Sequence, residues 1–160
     1  MCKINEILHY FIQNYPYKDE LSKTRITKMV YLADWIYSVK YHKQLTNINW
    51  YFDHYGPYVN DVYNAALSDK DIEILCTQSA FGNRKELFTF KDNFKVKDNF
   101  HLNDKEIEVL DEVINNTKYL NWNDFIKYVY STYPIKTQKR YTTLNLPELA
   151  IEIKKNKNFN

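Results

Sequence analysis

The sequence predicts an α+β fold: a mostly helical single domain with a small antiparallel β-sheet or hairpin packed against a central helix. Three observations predict it: a repeated helix-start pattern, a long segment that is apolar on nearly all sides, and two alternating segments around Phe81-Gly82-Asn83. With 160 residues, 44% of them hydrophobic, the chain is long enough to bury its own core. We expect one domain over residues 1–155 and a disordered tail at 156–160.

Four helices are predicted from one local pattern. In each case a leucine precedes a Ser or Asn, and a second large apolar residue lies four positions after that polar residue. The polar side chain caps the helix, while the two apolar residues form a hydrophobic staple across the cap. The cap residues are Ser22, Asn103, Asn121 and Asn145, which predict helices over 22–41, 103–116, 121–132 and 146–155. The helix at 22–41 is the one that is apolar on nearly all sides, so we expect it at the centre of the fold.

The remaining elements follow from hydrophobic periodicity. The predicted elements are helices at 3–14 and 60–67 and strands at 72–77 and 85–90. Asn60 suits the cap of the short helix. The two strands alternate on either side of a turn and so predict a hairpin. Residues 91–101 fit either a strand or a loop.

Composition argues against a nucleic-acid partner and against a membrane segment. The net charge is only +2, and the basic residues are 19 Lys and 3 Arg. Arginine provides most bidentate contacts to phosphates and base edges, so this composition disfavours nucleic-acid binding. No segment reaches the roughly eighteen apolar residues of a membrane span, and no signal-peptide core is present. Cys2 and Cys76 form no disulfide framework, so we expect a reduced, cytoplasmic protein without a membrane segment.

Catalytic and metal-binding motifs are missing from the sequence. The two glycines are too far apart for a phosphate-binding loop or a dinucleotide fingerprint, and no HExxH or paired-cysteine motif occurs. The four histidines lie in four different predicted elements. We expect Cys76 to be a small buried hydrophobic residue of its strand. The acidic run 69–73 lacks the glycine of a calcium loop, so we expect a solvated turn there. We predict no enzyme activity, no catalytic residues, no metal and no cofactor.

Residues 50–64 hold the most specific feature, an aromatic strand followed by a Gly56-Pro57 corner and a helix start. Alternation places Trp50, Phe52 and His54 on one strand face and Tyr51, Asp53 and Tyr55 on the other. We expect the first face to pack on the helix at 22–41, which leaves His54 as a structural histidine. The predicted partner-binding residues are Tyr51, Asp53, Tyr55 and Tyr58, since tyrosine is enriched at binding hot spots. The abundance of tyrosine also fits AT-rich coding.

The aromatic strand and the Gly-Pro corner follow a helical segment, Ile26 to Asp34, by about fifteen residues. This order and spacing resemble the Panacea-domain family, also called SocA-like antitoxins. The positions that carry the resemblance are Lys28, Tyr31, Phe52, Gly56, Pro57 and Tyr63. The segment from Leu102 through Thr132-Tyr133-Pro134 to Ala150 is similar to the family's later helices. The resemblance therefore covers most of the chain.

The resemblance implies a non-catalytic protein that neutralises a toxin by direct binding and is often encoded beside it. It does not name the toxin, because the same domain is paired with many unrelated toxins. Two other functions stay open: an adaptor that delivers a partner to a protease, and a phage or mobile-element enzyme or nucleic-acid-binding protein. The oligomeric state also stays open.

The positions that carry the resemblance, which we call the signature residues, fit structural roles as well as binding roles. Lys28 fits either a solvated lysine or a donor to carbonyls near the Gly-Pro corner. Tyr31, Phe52 and Tyr63 are expected in the core. The charged helix 103–116 reads as a solvated face, with an acidic decoy for a basic toxin as the alternative.

Overall fold

Helices dominate the structure, a computed structural model that describes residues 2–157. Within that range the helices are α1 (Lys3–Asn14), α2 (Lys23–Tyr41), α3 (Asp61–Ser68), α4 (Asp104–Thr117), α5 (Trp122–Tyr130), α6 (Tyr133–Thr137) and α7 (Leu146–Lys157), with a short 3-10 helix at Lys18–Glu20. The strands are β1 (Trp50–Asp53), β2 (Gly56–Pro57), β3 (Ile72–Gln78), β4 (Arg84–Phe90) and β5 (Thr143–Leu144). The predicted mostly helical α+β fold is confirmed.

All four predicted caps are present. Each cap side chain accepts a hydrogen bond from the backbone N–H three residues later, which satisfies one of the free donors of the first turn. The N–H···O distances are 3.2 Å at Ser22, 2.9 Å at Asn103, 2.9 Å at Asn121 and 3.2 Å at Asn145. Asn60 differs, because it precedes α3 as predicted but its side chain makes no capping hydrogen bond.

Helix α2 is the central element, as predicted. Most of its side chains are buried, and it packs against α1, α3, α4, α7 and β4. Leu32 and Trp35 are buried on this helix, whereas Val39, near its end, is exposed.

A buried arginine ties several helices to the start of α2. The Arg25 guanidinium donates to the Tyr15 hydroxyl at 2.9 Å, to the Thr117 carbonyl at 2.8 Å and to the Leu120 carbonyl at 2.9 Å. It also lies over the Phe125 ring, 4.5 Å from the centroid. Because these contacts compensate the buried charge, Arg25 holds the ends of α1 and α4 and the start of α5 in place.

Two small antiparallel sheets complete the fold. β1 lies at the centre of a three-stranded sheet with the order β2-β1-β5, and β3 pairs with β4 alone. The β3–β4 hairpin contains seven residue pairs, from Ile72 opposite Phe90 to Gln78 opposite Arg84. The predicted hairpin is therefore confirmed. Ile72 and Phe88 bury one face of its base in the core.

The prediction that Cys76 is a buried hydrophobe is wrong, because Cys76 is exposed. The outer half of the β3–β4 hairpin extends past the core. Neither face of β3 is buried there, so the alternating pattern does not place Cys76 in the core. Residues 91–101 form neither helix nor strand. The short β2, β5 and α6 were not predicted.

The end of the chain differs from the prediction. Helix α7 continues to Lys157, so Asn156 and Lys157 are helical where the sequence predicted the start of a disordered tail at 156–160. The rest of that predicted tail, residues 158–160, lies outside the described residues.

Candidate protein-binding surface

The Gly-Pro corner is a tight hairpin whose turn comes two residues earlier than the sequence suggested. Asp53 pairs with Gly56 and Phe52 with Pro57, so His54 and Tyr55 form the turn itself. Gly56 has φ +104°, a region that favours glycine and often follows a turn that leads into a bulge. Its surroundings alone do not require glycine, since the nearest atoms to an added Cβ would lie 3.6 Å away or more.

This turn overturns the expectation for His54. The alternating pattern ends at Asp53, so His54 does not follow Trp50 and Phe52 into the core but is exposed. Tyr55, the second turn residue, is 77% exposed. Turn residues project away from the sheet, which explains why both side chains face solvent.

A second exposed segment lies against this turn. The His54 Nδ1 and Tyr141 hydroxyl are 3.0 Å apart, and the His54 and Tyr55 rings meet edge to face at 4.5 Å. The Arg140 Nε donates to the His54 carbonyl at 3.2 Å. We name these four residues, His54, Tyr55, Arg140 and Tyr141, the corner surface.

Tyr141 is held in an unusual conformation. Its φ of +67° lies in the left-handed region, which is costly for a tyrosine, and its side chain is 57% exposed. Its backbone N–H donates to the Phe52 carbonyl, and Phe52 in turn donates to the Thr142 carbonyl at 3.0 Å. The pairing of β1 with this segment thus forces Tyr141 outward beside His54.

Lys28 supports the corner from beneath. Its side chain is buried, and Nζ donates to the Pro57 carbonyl in a long hydrogen bond of 3.4 Å. The predicted donor role of Lys28 is therefore confirmed over the solvated alternative. Burial lowers the pKa of Lys28 to about 8, while the Asp53 carboxylate acts in the opposite direction and raises it.

Asp34 fixes the start of the same strand. Its buried carboxylate accepts hydrogen bonds from the Trp50 Nε1 at 2.8 Å, the Thr46 backbone N–H at 2.8 Å and the Thr46 hydroxyl at 2.5 Å. Burial raises the pKa of Asp34 to about 6, although the hydrogen bonds from Thr46 and Trp50 partly lower it. Helix α2 therefore holds β1 at Trp50 through Asp34 and holds β2 at Pro57 through Lys28.

The predicted partner-binding residues do not form one cluster. Tyr55 belongs to the corner surface, and Tyr51 and Asp53 are half-buried on the adjoining strand. Tyr58 is half-buried as well, but its ring lies near the start of α2, with the Lys23 ammonium 5.9 Å from its centroid.

The signature residues expected in the core mostly lie there. Tyr31 and Phe52 are buried, and the Tyr31 ring meets Trp50 edge to face at 5.5 Å. Tyr63 is only half-buried, with its ring 6.4 Å from Phe88.

Sequence reasoning missed Asp34, His54, Arg140 and Tyr141. Asp34 was readable as a lone acid on an apolar helix, a position that requires buried partners. The two residues before Gly56 could have been read as a turn, since glycine commonly follows a tight type I turn. No local signal connects Arg140 and Tyr141 to the corner, because they meet it only through the β1–β5 pairing.

One group of side chains could offer ligands to a metal ion. Within residues 2–157, His9, Asp69 and Asp71 place potential ligand atoms within 4.8 Å of one another. Asp69 is buried, so the predicted solvated turn is wrong at this position. Its oxygens accept from the His9 Nε2 at 2.9 Å, the Asn5 Nδ2 at 2.7 Å and the Asp71 N–H at 2.9 Å. Burial would raise the pKa of Asp69, but these hydrogen bonds outweigh it and lower the pKa. The cluster joins α1 to the end of α3 by hydrogen bonds.

The acidic helix α4 is only partly a solvated face. Glu106 is buried and pairs with Lys3, and Asp111 accepts a hydrogen bond from the Tyr10 hydroxyl at 2.5 Å. Glu112 pairs with Lys40 at 2.8 Å. Structural pairing therefore occupies several of these carboxylates.

Comparison with known proteins gives one match. The family model described as "Antitoxin SocA-like, Panacea domain" matches residues 26–134. That range includes α2 from Ile26 onward, the tight hairpin and its turn, and it ends before Arg140 and Tyr141. No curated protein and no solved structure matches the chain. Within residues 2–157, no helix has the length and apolar character needed to cross a bilayer.

Proposed function

Because the chain belongs to the SocA-like Panacea-domain antitoxin family, we propose that it binds one toxin protein directly and blocks that toxin's active or target surface. Membership in this family favours a non-enzymatic role. The proposed toxin is encoded beside this chain, and the two proteins meet in the cytoplasm. The corner surface makes the central contact.

The observation that carries this proposal is the exposure of two tyrosines on a backbone that is held from several sides. Tyr55 is 77% exposed and Tyr141 is 57% exposed. The His54 ring lies between them, 4.5 Å from the Tyr55 ring and 3.0 Å from the Tyr141 hydroxyl. Large aromatic side chains that are already positioned lose little entropy on binding, which is why tyrosine is frequent at hot spots.

The supporting contacts explain why this surface is rigid. Lys28 and Asp34 hold the tight hairpin on α2, and β5 holds its other side. A partner therefore meets a turn whose shape does not have to form during binding. Such preorganisation raises affinity without adding contact area.

Occlusion requires a larger area than four side chains supply. A stable interface buries about 800 Å² on each partner, or some 20–30 residues. We expect the half-buried Tyr51 and Asp53 to lie at the rim of the contact, where they exclude water around the central tyrosines. Tyr58 faces another direction and contributes less.

The test compares binding and neutralisation by matched tyrosine variants. The neighbouring reading frame should arrest growth when expressed alone and be harmless together with this chain. Tyr55→Ala combined with Tyr141→Ala should weaken toxin binding by about 30-fold or more, as expected for the loss of hot-spot residues. The affinity is measured by titration calorimetry, and neutralisation by growth of cells that co-express both proteins.

Tyr119→Ala is the matched control. Tyr119 is 76% exposed, like Tyr55, but lies in the loop between α4 and α5. Its loss should change toxin affinity less than twofold. If the control loses binding and the double variant keeps it, the toxin binds elsewhere. If no adjacent gene is toxic, the antitoxin role itself is wrong.

Two further measurements separate occlusion from the other functions. An adaptor would lower the amount of toxin in the cell, whereas occlusion lowers only its activity, so toxin levels are followed by immunoblot. Binding to DNA or RNA that weakens as salt rises would indicate a nucleic-acid function. We expect constant toxin levels and no nucleic-acid binding at low salt.

A further inference from the structure

The β3–β4 hairpin leaves one edge of its ladder open. Lys91 donates to the Asp71 carbonyl and Ser79 to the Asn83 carbonyl, so the odd-numbered residues of β3 bond to β4. In an antiparallel ladder the alternate residues point their N–H and C=O groups the other way. The backbone groups of Ile74, Cys76 and Gln78 therefore point outward, and within residues 2–157 they have no protein partner.

The opposite edge of the hairpin is covered at its base. The Phe88 N–H donates to the Leu21 carbonyl at 2.9 Å, and Ser22 forms a bridge with Leu87. The chain before α2 thus covers β4 at Leu87 and Phe88. The outer part of that edge carries Arg84, Lys85 and Glu86, and charged side chains of this kind discourage strand pairing. Of the two edges, β3 is therefore the one suited to another strand. A two-stranded hairpin is marginally stable on its own in water, so an added strand would stabilise its outer half.

The open edge lacks the usual protection against pairing. Natural edge strands carry lysine, proline or inward-facing charges that repel a second strand. Residues 74–79 of this chain contain none of these, and the exposed Leu75, 41% accessible, lies at the centre of β3. This edge is suited to accept a neutral, apolar strand.

We propose that the β3 strands of two copies of this chain pair antiparallel across a twofold axis at Leu75. The hairpins then form one four-stranded sheet with the order β4-β3-β3-β4.

This pairing is self-complementary. A twofold axis at Leu75 brings Ile74 opposite Cys76 of the second copy, so the outward backbone groups of both strands face one another. Leu75 meets its own copy, and Glu73 lies opposite Thr77, so no like charges oppose each other. These features favour a second copy over an unrelated strand as the occupant.

The same register gives the hairpin tip a contact. Phe81 is 92% exposed at the tip, and the register carries it towards residues 69–70 of the other copy. Leu67, which is also exposed, lies next to these residues at the end of α3. The dimer therefore covers two apolar side chains that solvent surrounds in a single copy.

Sedimentation equilibrium of the full chain over a concentration series tests the proposal. The native chain should pass from the mass of one copy to that of two. Leu75→Lys should stay at the mass of one copy, because two lysines would face each other across the axis. Ile151→Lys, at a site with 42% exposure on α7, is the matched control and should dimerise like the native chain. A native chain with the mass of one copy at every concentration would overturn the proposal.

A disulfide tests the register and does not depend on the stability of the lysine variant. In a chain carrying Cys2→Ser and Cys76→Ser, Leu75→Cys places two thiols in a non-hydrogen-bonded pair with Cα atoms about 4.5 Å apart, within disulfide range. Mild oxidation should give a covalent dimer, whereas Ile151→Cys in the same background should not. Equal cross-linking of the two variants, or none in either, would contradict the pairing. So would toxin binding that depends on Leu75 in a chain that never dimerises.

Discussion

The two hairpins of this protein are held in opposite ways. The short β1–β2 hairpin has two residue pairs and a two-residue turn, but side chains of α2 and the strand β5 hold it from several sides. The long β3–β4 hairpin has seven pairs, and its outer half has few contacts beyond its own ladder. The shape of the first therefore depends on tertiary contacts, and that of the second on local pairing.

This difference assigns the hairpins different uses. A turn that is fixed by buried polar contacts can present side chains at constant positions, which suits recognition of a protein partner. A projecting ladder with an open edge suits addition of another strand. Changes beneath the short hairpin should cost global stability, whereas changes in the outer half of the long one should cost little.

The largest expected effect comes from Asp34→Ala. The change leaves the Trp50 Nε1 and both Thr46 donors buried without an acceptor, so the free energy of unfolding should fall by about 3–5 kcal/mol. Thr77→Ala, an exposed change in the outer half of β3, should cost less than about 0.5 kcal/mol. Urea unfolding followed by circular dichroism measures both. Similar losses for the two variants would contradict the contrast between the hairpins.

Much of the fold was predictable because its signals are local. A cap such as Asn103 and its staple lie within a few residues of each other, and β3 and β4 alternate on either side of a glycine turn. The Lys28 contact was only one of two possibilities in the sequence, because a lysine on an apolar helix either finds an acceptor or reaches solvent, and the structure decides for the acceptor.

The remaining features depend on which segments meet in space. Asp34 and Trp50 lie sixteen residues apart and join only after α2 and β1 pack. Tyr141 reaches His54 through the pairing of β1 with β5. Because β5 has only two residues, the sequence shows no strand pattern that would predict this pairing. Cys76 was misplaced because alternation defines two faces of a strand but not where the core ends.

Lys28 gives a pH-dependent test of the short hairpin. Its pKa is about 8 in the folded protein, below the ordinary lysine pKa of 10.5, so the unfolded chain binds more protons between these pH values. The free energy of unfolding therefore rises with pH across this window, by about 2 kcal/mol from pH 7 to pH 10. Lys28→Met lacks this contribution. The difference between native and variant stability should grow in favour of the native chain as pH rises.

Lys127→Met is the control for this pH series, since Lys127 is an exposed lysine on α5. Its stability should follow that of the native chain as pH rises. Parallel pH profiles for the native chain and Lys28→Met would mean that Lys28 is solvated in solution and does not support Pro57.

The two glycines allow the hairpins to be compared with one substitution. Gly56 has φ +104° and Gly82 has φ +79°, so alanine is strained at both positions. Gly56→Ala should lower the free energy of unfolding by about 1–2 kcal/mol, because the surrounding contacts prevent relief of the strain. Gly82→Ala should cost less than half as much, since the tip of the long hairpin can open locally. Thermal unfolding monitored by calorimetry measures both. A larger loss at Gly82 would mean that the long hairpin, and not the short one, is the more tightly held.

The smallest loss of stability, and the sharpest separation of the two surfaces, is expected at Tyr141. Tyr141→Asn replaces an outlier with a residue that tolerates the left-handed region, so the stability should stay equal or rise by up to about 1 kcal/mol. Toxin binding should nevertheless weaken, because the corner surface loses an exposed ring and His54 loses its hydroxyl partner. Phe81→Asn is the counterpart on the long hairpin, and it should weaken dimerisation but leave toxin affinity unchanged. If Tyr141→Asn impairs dimerisation, or Phe81→Asn impairs toxin binding, the two hairpins do not divide these roles.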